Sequence, residues 1–290
     1  MVPFDKILFP VDFSEASAAM VPDVAAMARK FNAAVIVLHA FHIVHEYHLA
    51  PRADAPFGPE PDEIPYIPAL RELREVRKNR LEEFARAHLA GIDARTLLKD
   101  GDPALAIEWV ARQEKAGLVM MSTKGRGRFR RLLMGSLTAK MLHDLGCPIY
   151  TSPHVPGRKT APPGGIRSIL CATRMEPESA AALRIAGIMA RVFEARVCLL
   201  HVHTPGASKE RVPTSAAMQE AFARAVGDSA VAAEARILDA GLPEGIRKAA
   251  VEEAADLLVV GRGHARGNVS RIWSHLYRLI RESPCPVLSV

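Results

Sequence analysis

The sequence predicts an α/β protein made of two tandem copies of one doubly wound unit, each a five-stranded parallel sheet with helices on both faces. Three observations carry this reading. Short apolar runs alternate with segments of helical spacing along all 290 residues, and such alternation favours parallel strands joined by right-handed crossovers. The same order of segments occurs twice. Between the two copies, Pro153 to Gly165 holds four prolines and three glycines with no apolar period, which reads as a linker.

The repeat is visible residue by residue. Ile7-Leu8-Phe9-Pro10-Val11-Asp12 returns as Ile169-Leu170-Cys171-Ala172-Thr173-Arg174, an offset of 169 − 7 = 162. Leu38-His39 returns as Leu200-His201 at the same offset. Gly101-Asp102-Pro103 corresponds to Gly241-Leu242-Pro243, and Leu118–Met121 to Leu257–Val260. Cys147-Pro148-Ile149 and Cys285-Pro286-Val287 close the two copies. The expected domains are therefore 1–152 and 166–290, joined by 153–165.

Each element has a local reason. Lys6–Val11 is an apolar run suited to a strand buried on both faces. Ser14–Phe31 has helical spacing, with Val21, Val24, Ala25, Ala28 and Phe31 on one side and Ser14 as a candidate cap. Ala34–Ala40 is the second strand. Ala69–Leu89 is a charged amphipathic helix whose apolar side holds Leu70, Leu73, Val76, Leu81, Phe84 and Ala85. Strand Ala94–Lys99, helix Pro103–Glu114 and strand Leu118–Met121 follow. Helix Arg131–Leu145, with Gly146 as its stop, and strand Pro148–Thr151 complete the copy. The second copy repeats the order, from Ser168–Thr173 to Pro286–Ser289.

Composition narrows the class. With 49% apolar and 24% charged residues, this is an ordinary globular composition. No apolar run reaches the roughly 18 residues of a membrane span, and the first residues run directly into a strand. Four well-separated cysteines with no C-x-x-C pair fit a reducing cytoplasm. The net charge of +6 divides unevenly. Residues 1–152 hold 20 Lys/Arg and 19 Asp/Glu (+1), and residues 153–290 hold 18 and 13 (+5). Neither value argues for nucleic acid.

Open α/β sheets bind ligands past the carboxyl ends of their strands, where the strand order reverses. Two segments of the first copy belong there. One is Pro10-Val11-Asp12-Phe13-Ser14. The other is Met121-Ser122-Thr123-Lys124-Gly125-Arg126-Gly127, from which nine residues separate Gly125 from Gly135-Ser136. Gly125 permits close backbone approach, and the turn that opens at Gly135-Ser136 offers N–H groups to an anion. Arg126, Arg128, Arg130 and Arg131 surround the same loop.

On these residues the chain resembles a tandem member of the universal stress protein (UspA-type) family. The family's pattern is G-x2-G-x9-G-[ST] after the fourth strand, with an aspartate after the first. Here it reads Ser122-x2-Gly125-x9-Gly135-Ser136 with Asp12, so only the first glycine departs. The resemblance implies a Rossmann-like, adenine-nucleotide-hydrolase-like fold, and ATP as cofactor with Mg²⁺ left open. It assigns Asp12, with its neighbours Pro10 and Val11, and the Ala40 backbone to the adenosine end. Met121 and Ser122 would flank the nucleotide. Gly125, Arg126, Gly127, Gly135, Ser136, Leu137 and Thr138 would face the phosphates. In the second copy Arg174 replaces Asp12, His264 replaces the second glycine, and Ser274-His275 replaces Gly-Ser. That copy is expected to be degenerate, with packing as its main role.

Three functions follow in order. The first is a cytoplasmic, nucleotide-dependent regulatory stress protein that is not chiefly an enzyme. The second is a slow ATPase or nucleotidyl-transfer enzyme. The third is an interaction module without nucleotide. The fifth strands could pair to make an intrachain pseudo-dimer, and two chains could then associate. His39, His42, His45 and His48 recur every three residues, yet a histidine-rich loop explains them better than a metal site. The proline-rich insertion 46–68 is too long for a connector and is a candidate lid or partner surface.

Overall fold

A computed structural model describes residues 4–41, 68–123, 136–152, 165–176, 178–204, 212–227, 231–262 and 269–290. For 68–70, 136 and 269–274 it describes the backbone alone. Strands and helices alternate as expected: β1 (Lys6–Pro10), α1 (Glu15–Ala19), α2 (Val21–Phe31), β2 (Ala34–Phe41), α3 (Pro68–His88), β3 (Ala94–Asp100), α4 (Pro103–Gln113), β4 (Leu118–Ser122), α5 (Ser136–Asp144) and β5 (Ile149–Ser152). The second series is β6 (Ser168–Ala172), α6 (Ser179–Phe193), β7 (Arg196–His203), α7 (Ser215–Val226), β8 (Ala233–Asp239), α8 (Leu242–Glu252), β9 (Leu257–Val260), α9 (Val269–Glu282) and β10 (Val287–Ser289).

The chain divides into two compact units. One comprises Met1–Met121 with Ser136–Cys147, and the other Ser122–Gly135 with Pro148–Val290. In the first, the strand order is β3-β2-β1-β4, with β1 parallel to both β2 and β4 and β2 parallel to β3. The second contains β5-β10-β9-β6-β7-β8, in which β6 to β10 are parallel and β5 runs antiparallel to β10. Thr151 Oγ1 donates to the Val287 carbonyl and Ser289 Oγ to the Ile149 carbonyl, which adds side-chain bonds to that ladder.

The central strands bury both faces. Ile7, Leu8 and Phe9 are fully enclosed, as are Leu257, Leu258 and Val259. This is what an apolar run without alternation requires. The Ser14–Phe31 segment is two helices rather than one, because Pro22 lacks the N–H that would continue the ladder. Ser14 caps the first, accepting from the Ser17 N–H at 3.2 Å. Val21, Val24, Ala25, Ala28 and Phe31 are all buried.

Two local expectations are corrected. Leu73 and Val76 of α3 reach solvent, Val76 at 57% exposure. At about 100° per residue, Val76 sits some 140° around the helix from buried Leu81. Its neighbour Arg77 turns inward instead, with its guanidinium 4.7 Å above the Phe41 ring. Helix α5 ends at Asp144 and Gly146 is not left-handed, so the stop is not a glycine cap.

The repeat is sharper in the backbone than in the sequence. The described non-glycine residues with positive φ form three pairs: Phe13 and Met175, Asn32 and Glu194, Lys115 and Ala254. Each pair occupies the same place in its copy: after the first strand, after the helix that leads into the second strand, and before the fourth strand. A left-handed residue costs about 1–2 kcal/mol when it has a Cβ, so these turns are fixed by the fold around them. Even single hydrogen bonds recur. Lys6 Nζ donates to the Glu114 carbonyl, and Ser168 Oγ to the Glu253 carbonyl, both at 3.1 Å.

Candidate functional site

In the first unit the chain leaves β1 toward β2 and β3, then returns to lay β4 on the other side of β1. The strand order therefore reverses between β1 and β4. Pro10 ends β1, Ala40 lies one residue before the end of β2, and Met121 and Ser122 end β4. Parallel registers of Ile7 with Leu118 and of Pro10 with Leu38 bring these ends side by side. The topology thus gathers the predicted adenosine-end residues at the crevice where such sheets hold ligands.

The loop after β1 is built tightly. The Val11 N–H donates to the Leu38 carbonyl at 2.8 Å, and His39 Nδ1 lies 2.8 Å from the Val11 carbonyl. Both backbone groups of Val11 are thus held by β2. Asp12 Oδ1 accepts from the Ser14 N–H at 3.0 Å and from Ser17 Oγ at 2.6 Å. The Asp12 N–H in turn donates to Ser17 Oγ at 3.3 Å. Ser17 is only 4% exposed, so the Asp12 carboxylate is tied to a buried hydroxyl rather than swinging in water. Phe13 takes φ 58° and lays its ring 4.4 Å from that of His39. Arg80 stands over Phe13 at 4.5 Å.

Carbonyls only accept, so His39 carries its proton on Nδ1 and presents the Nε2 lone pair to Arg77 Nη1, 3.4 Å away. A chain of contacts therefore runs from α3 through His39 to the residue before Asp12. Phe13, Ser17 and Arg77 surround Asp12 and His39 without having been singled out by the spacing. The available signal was the recurrence of Leu-His in both copies, which marks His39 as part of the repeat rather than of the His42/His45/His48 series. Those three histidines lie outside the described residues, and the described ones contain no group of three or more metal-ligating side chains.

Of the predicted phosphate end, Gly125, Arg126, Gly127 and Gly135 lie outside the described residues. Ser136 is the first residue of α5, so its N–H belongs to the turn whose amides have no partner within the helix. Leu137 is half-buried and Thr138 is buried at 3% exposure.

The second copy repeats the frame without the chemistry. The Thr173 N–H donates to the Leu200 carbonyl at 2.9 Å, and His201 Nδ1 approaches the Thr173 carbonyl at 3.2 Å. Met175 takes φ 60° where Phe13 takes 58°. Arg174 stands where Asp12 does and pairs with Glu176 at 2.9 Å. The Nε2 of His201 has no partner among the described residues.

The strand order defines a doubly wound α/β protein with a crevice at its switch point, and comparison with known proteins gives the family. The profile of the universal stress protein family matches residues 3–153 and again 165–290. The chain belongs to that family, with two tandem domains. A universal stress protein of Thermus aquaticus is 32% identical over 146 residues, half of this chain and 96% of its own length. One from Methanocaldococcus jannaschii is 25% identical over 147 residues, covering 80% of its own length. The crystal structure of a universal stress protein from Archaeoglobus fulgidus superimposes over 98% of this chain and 95% of its own, with TM-score 0.71 and 21% identity. That likeness extends the shared fold to the whole chain. Among the described residues, no helix is long and apolar enough to cross a membrane.

Proposed function

We propose that the first repeat binds ATP, and that occupancy of this site regulates a partner-facing surface during stress. The observation that carries this is Asp12, held by Ser14 and Ser17 at the point where the strand order reverses. A carboxylate fixed there is ready to accept from ribose hydroxyls. It needs little further ordering, which lowers the entropic cost of binding. Met121 and Ala40 supply the adjoining walls. The α5 N-terminus, with Gly125, Arg126, Gly127, Gly135 and Ser136, is suited to the phosphates, because N-terminal amides and guanidinium groups favour anions. The nucleotide would contribute a ligand whose polyphosphate charge can be read by this loop. Domain limits of 1–152 and 166–290 accompany this reading. So do an intrachain pseudo-dimer of the two repeats and a cytoplasmic location, in keeping with four free cysteines.

Regulation then depends on different affinities in two states rather than on turnover. A slow ATPase ranks second, because the spacing of the sequence identifies no paired acid and base. The test is the protein as isolated. Nucleotide released from purified protein should be ATP by mass, and should remain ATP over hours. Steady ADP formation would favour the enzyme, and a Gly135→Asp variant that retains nucleotide equally well would overturn the site.

A further inference from the structure

The two halves of α3 are held differently. In the C-terminal half Leu81 is buried, as is Leu89 just beyond the helix, and the Phe84 ring lies 6.4 Å from that of Phe9. That half is part of the core. From 71 to 80 no side chain is buried, and Leu73 and Val76 reach solvent. Two arginines fix this half to the strands. The Arg77 guanidinium lies 4.7 Å above the Phe41 ring, and that of Arg80 lies 4.5 Å above the Phe13 ring. Arg77 Nη1 also stands 3.4 Å from His39 Nε2. Among the described residues neither arginine has a carboxylate partner, and Arg77 Nε is buried without a hydrogen bond. Taking a guanidinium out of water without a counter-ion is costly, and a cation–π contact near the surface returns little. The docked position is therefore only weakly favoured over one in which both guanidinium groups are hydrated.

The two rings that receive the arginines are the direct neighbours of two predicted nucleotide residues. Phe13 follows Asp12, and Phe41 follows Ala40. Phe13 has φ 58°, a left-handed conformation that is unfavourable for a residue with a Cβ. Its surroundings hold it there, with the His39 ring at 4.4 Å and the Phe84 ring at 6.0 Å. His39 also holds the Val11 carbonyl at 2.8 Å. The same few residues thus position Asp12 on one side and receive α3 on the other. A ligand that fixes Asp12 and Ala40 also fixes both ring platforms, which lowers the ordering cost of docking α3. By linkage, docked α3 favours the ligand by the same factor.

We infer that the N-terminal half of α3 is the element that senses nucleotide, with Arg77 and Arg80 as positioning residues that couple it to Asp12 and Ala40. This rests on the reading of the first repeat as an ATP site. The test is hydrogen exchange of the full chain by mass spectrometry, with ATP affinity measured beside it by calorimetry. In nucleotide-free protein the amides of 71–80 should exchange faster than those of 82–88. Saturating ATP should slow 71–80 about fivefold or more, and 82–88 less. The double variant Arg77→Met with Arg80→Met keeps the apolar stems and removes both cations. It should abolish the ATP-dependent slowing at 71–80 and weaken ATP by a similar factor, about fivefold, because coupling is reciprocal. Its exchange at 82–88 should match the parent's, which reports that the fold is kept. Arg80→Lys alone, which leaves a cation over Phe13, should retain most of the slowing. ATP that binds without slowing 71–80, equal slowing at 71–80 and 82–88, or a double variant that responds like the parent would overturn the coupling and leave the ATP reading standing. Absence of ATP binding would overturn that reading and the coupling with it.

Discussion

His39 Nδ1 lies 2.8 Å from the carbonyl oxygen of Val11, so the end of the second strand holds the residue that precedes Asp12. Replacing His39 with Phe keeps a ring of similar size beside Phe13 but leaves that carbonyl without its donor. A buried acceptor left unpaired costs about 1–3 kcal/mol. Urea unfolding of His39→Phe should show a loss of that size, and ATP affinity should fall several-fold because Asp12 loses its anchor. Unchanged stability would mean that the Val11 carbonyl finds water instead.

The left-handed pairs predict a stabilising substitution. Glu194 ends α6 with φ 57°, and its N–H donates to the Ala190 carbonyl. Glycine adopts this conformation without penalty, at some entropic cost in the unfolded chain. Glu194→Gly should raise stability by roughly 0.5–1 kcal/mol, seen as a higher urea midpoint. The opposite case is Gly187, where an added Cβ would collide with Val226 between α6 and α7. Gly187→Leu should destabilise by about 1–3 kcal/mol or more, measured the same way.

Acid should weaken the second unit through Glu253. Arg236 donates to one carboxyl oxygen at 2.5 Å and Arg196 to the other at 3.0 Å, and these bonds hold Glu253 below the usual carboxylate range. Glu114 is lowered in the same way, first by Arg95. A carboxylate whose folded pKa is depressed adds stability above its unfolded pKa, about 4.3. It loses that stability as pH falls through the folded value. Stability should therefore drop below roughly pH 4.3, and Glu253→Gln should flatten that part of the profile. A profile identical to the parent's would remove Glu253 from the explanation.

Burial pushes the Cys171 thiol up to about 12 and the Cys198 thiol up to about 11. Neither should form thiolate near neutral pH, so iodoacetamide at pH 8 should spare both in the folded protein. Half-buried Cys147 should be the first to react. Labelling of Cys171 at a rate matching the unfolded chain would contradict this packing.

Much of the fold was legible because apolar runs, prolines and the two-fold recurrence all act locally. Strand β1 is an unbroken apolar stretch, and Ser14 caps its helix as its hydroxyl suggests. What escaped was set by tertiary contact. Val76 counts as apolar in the α3 pattern, yet Arg77 takes the inward place because Phe41 offers its ring face. Asp12 stands out in the sequence by its position after β1. Its clamp by Ser17 was not, since that bond depends on where the chain turns at Phe13.

The central claim, one ATP site per chain in the repeat that keeps Asp12, is tested most directly by calorimetric titration of nucleotide-free protein with ATP. The predicted result is a stoichiometry of about one per chain, with Asp12→Ala weakening binding at least tenfold, as expected when a charged hydrogen-bond partner is lost, and Arg174→Ala leaving it unchanged. Two equal sites, no binding, or an Asp12→Ala affinity equal to the parent's would contradict it.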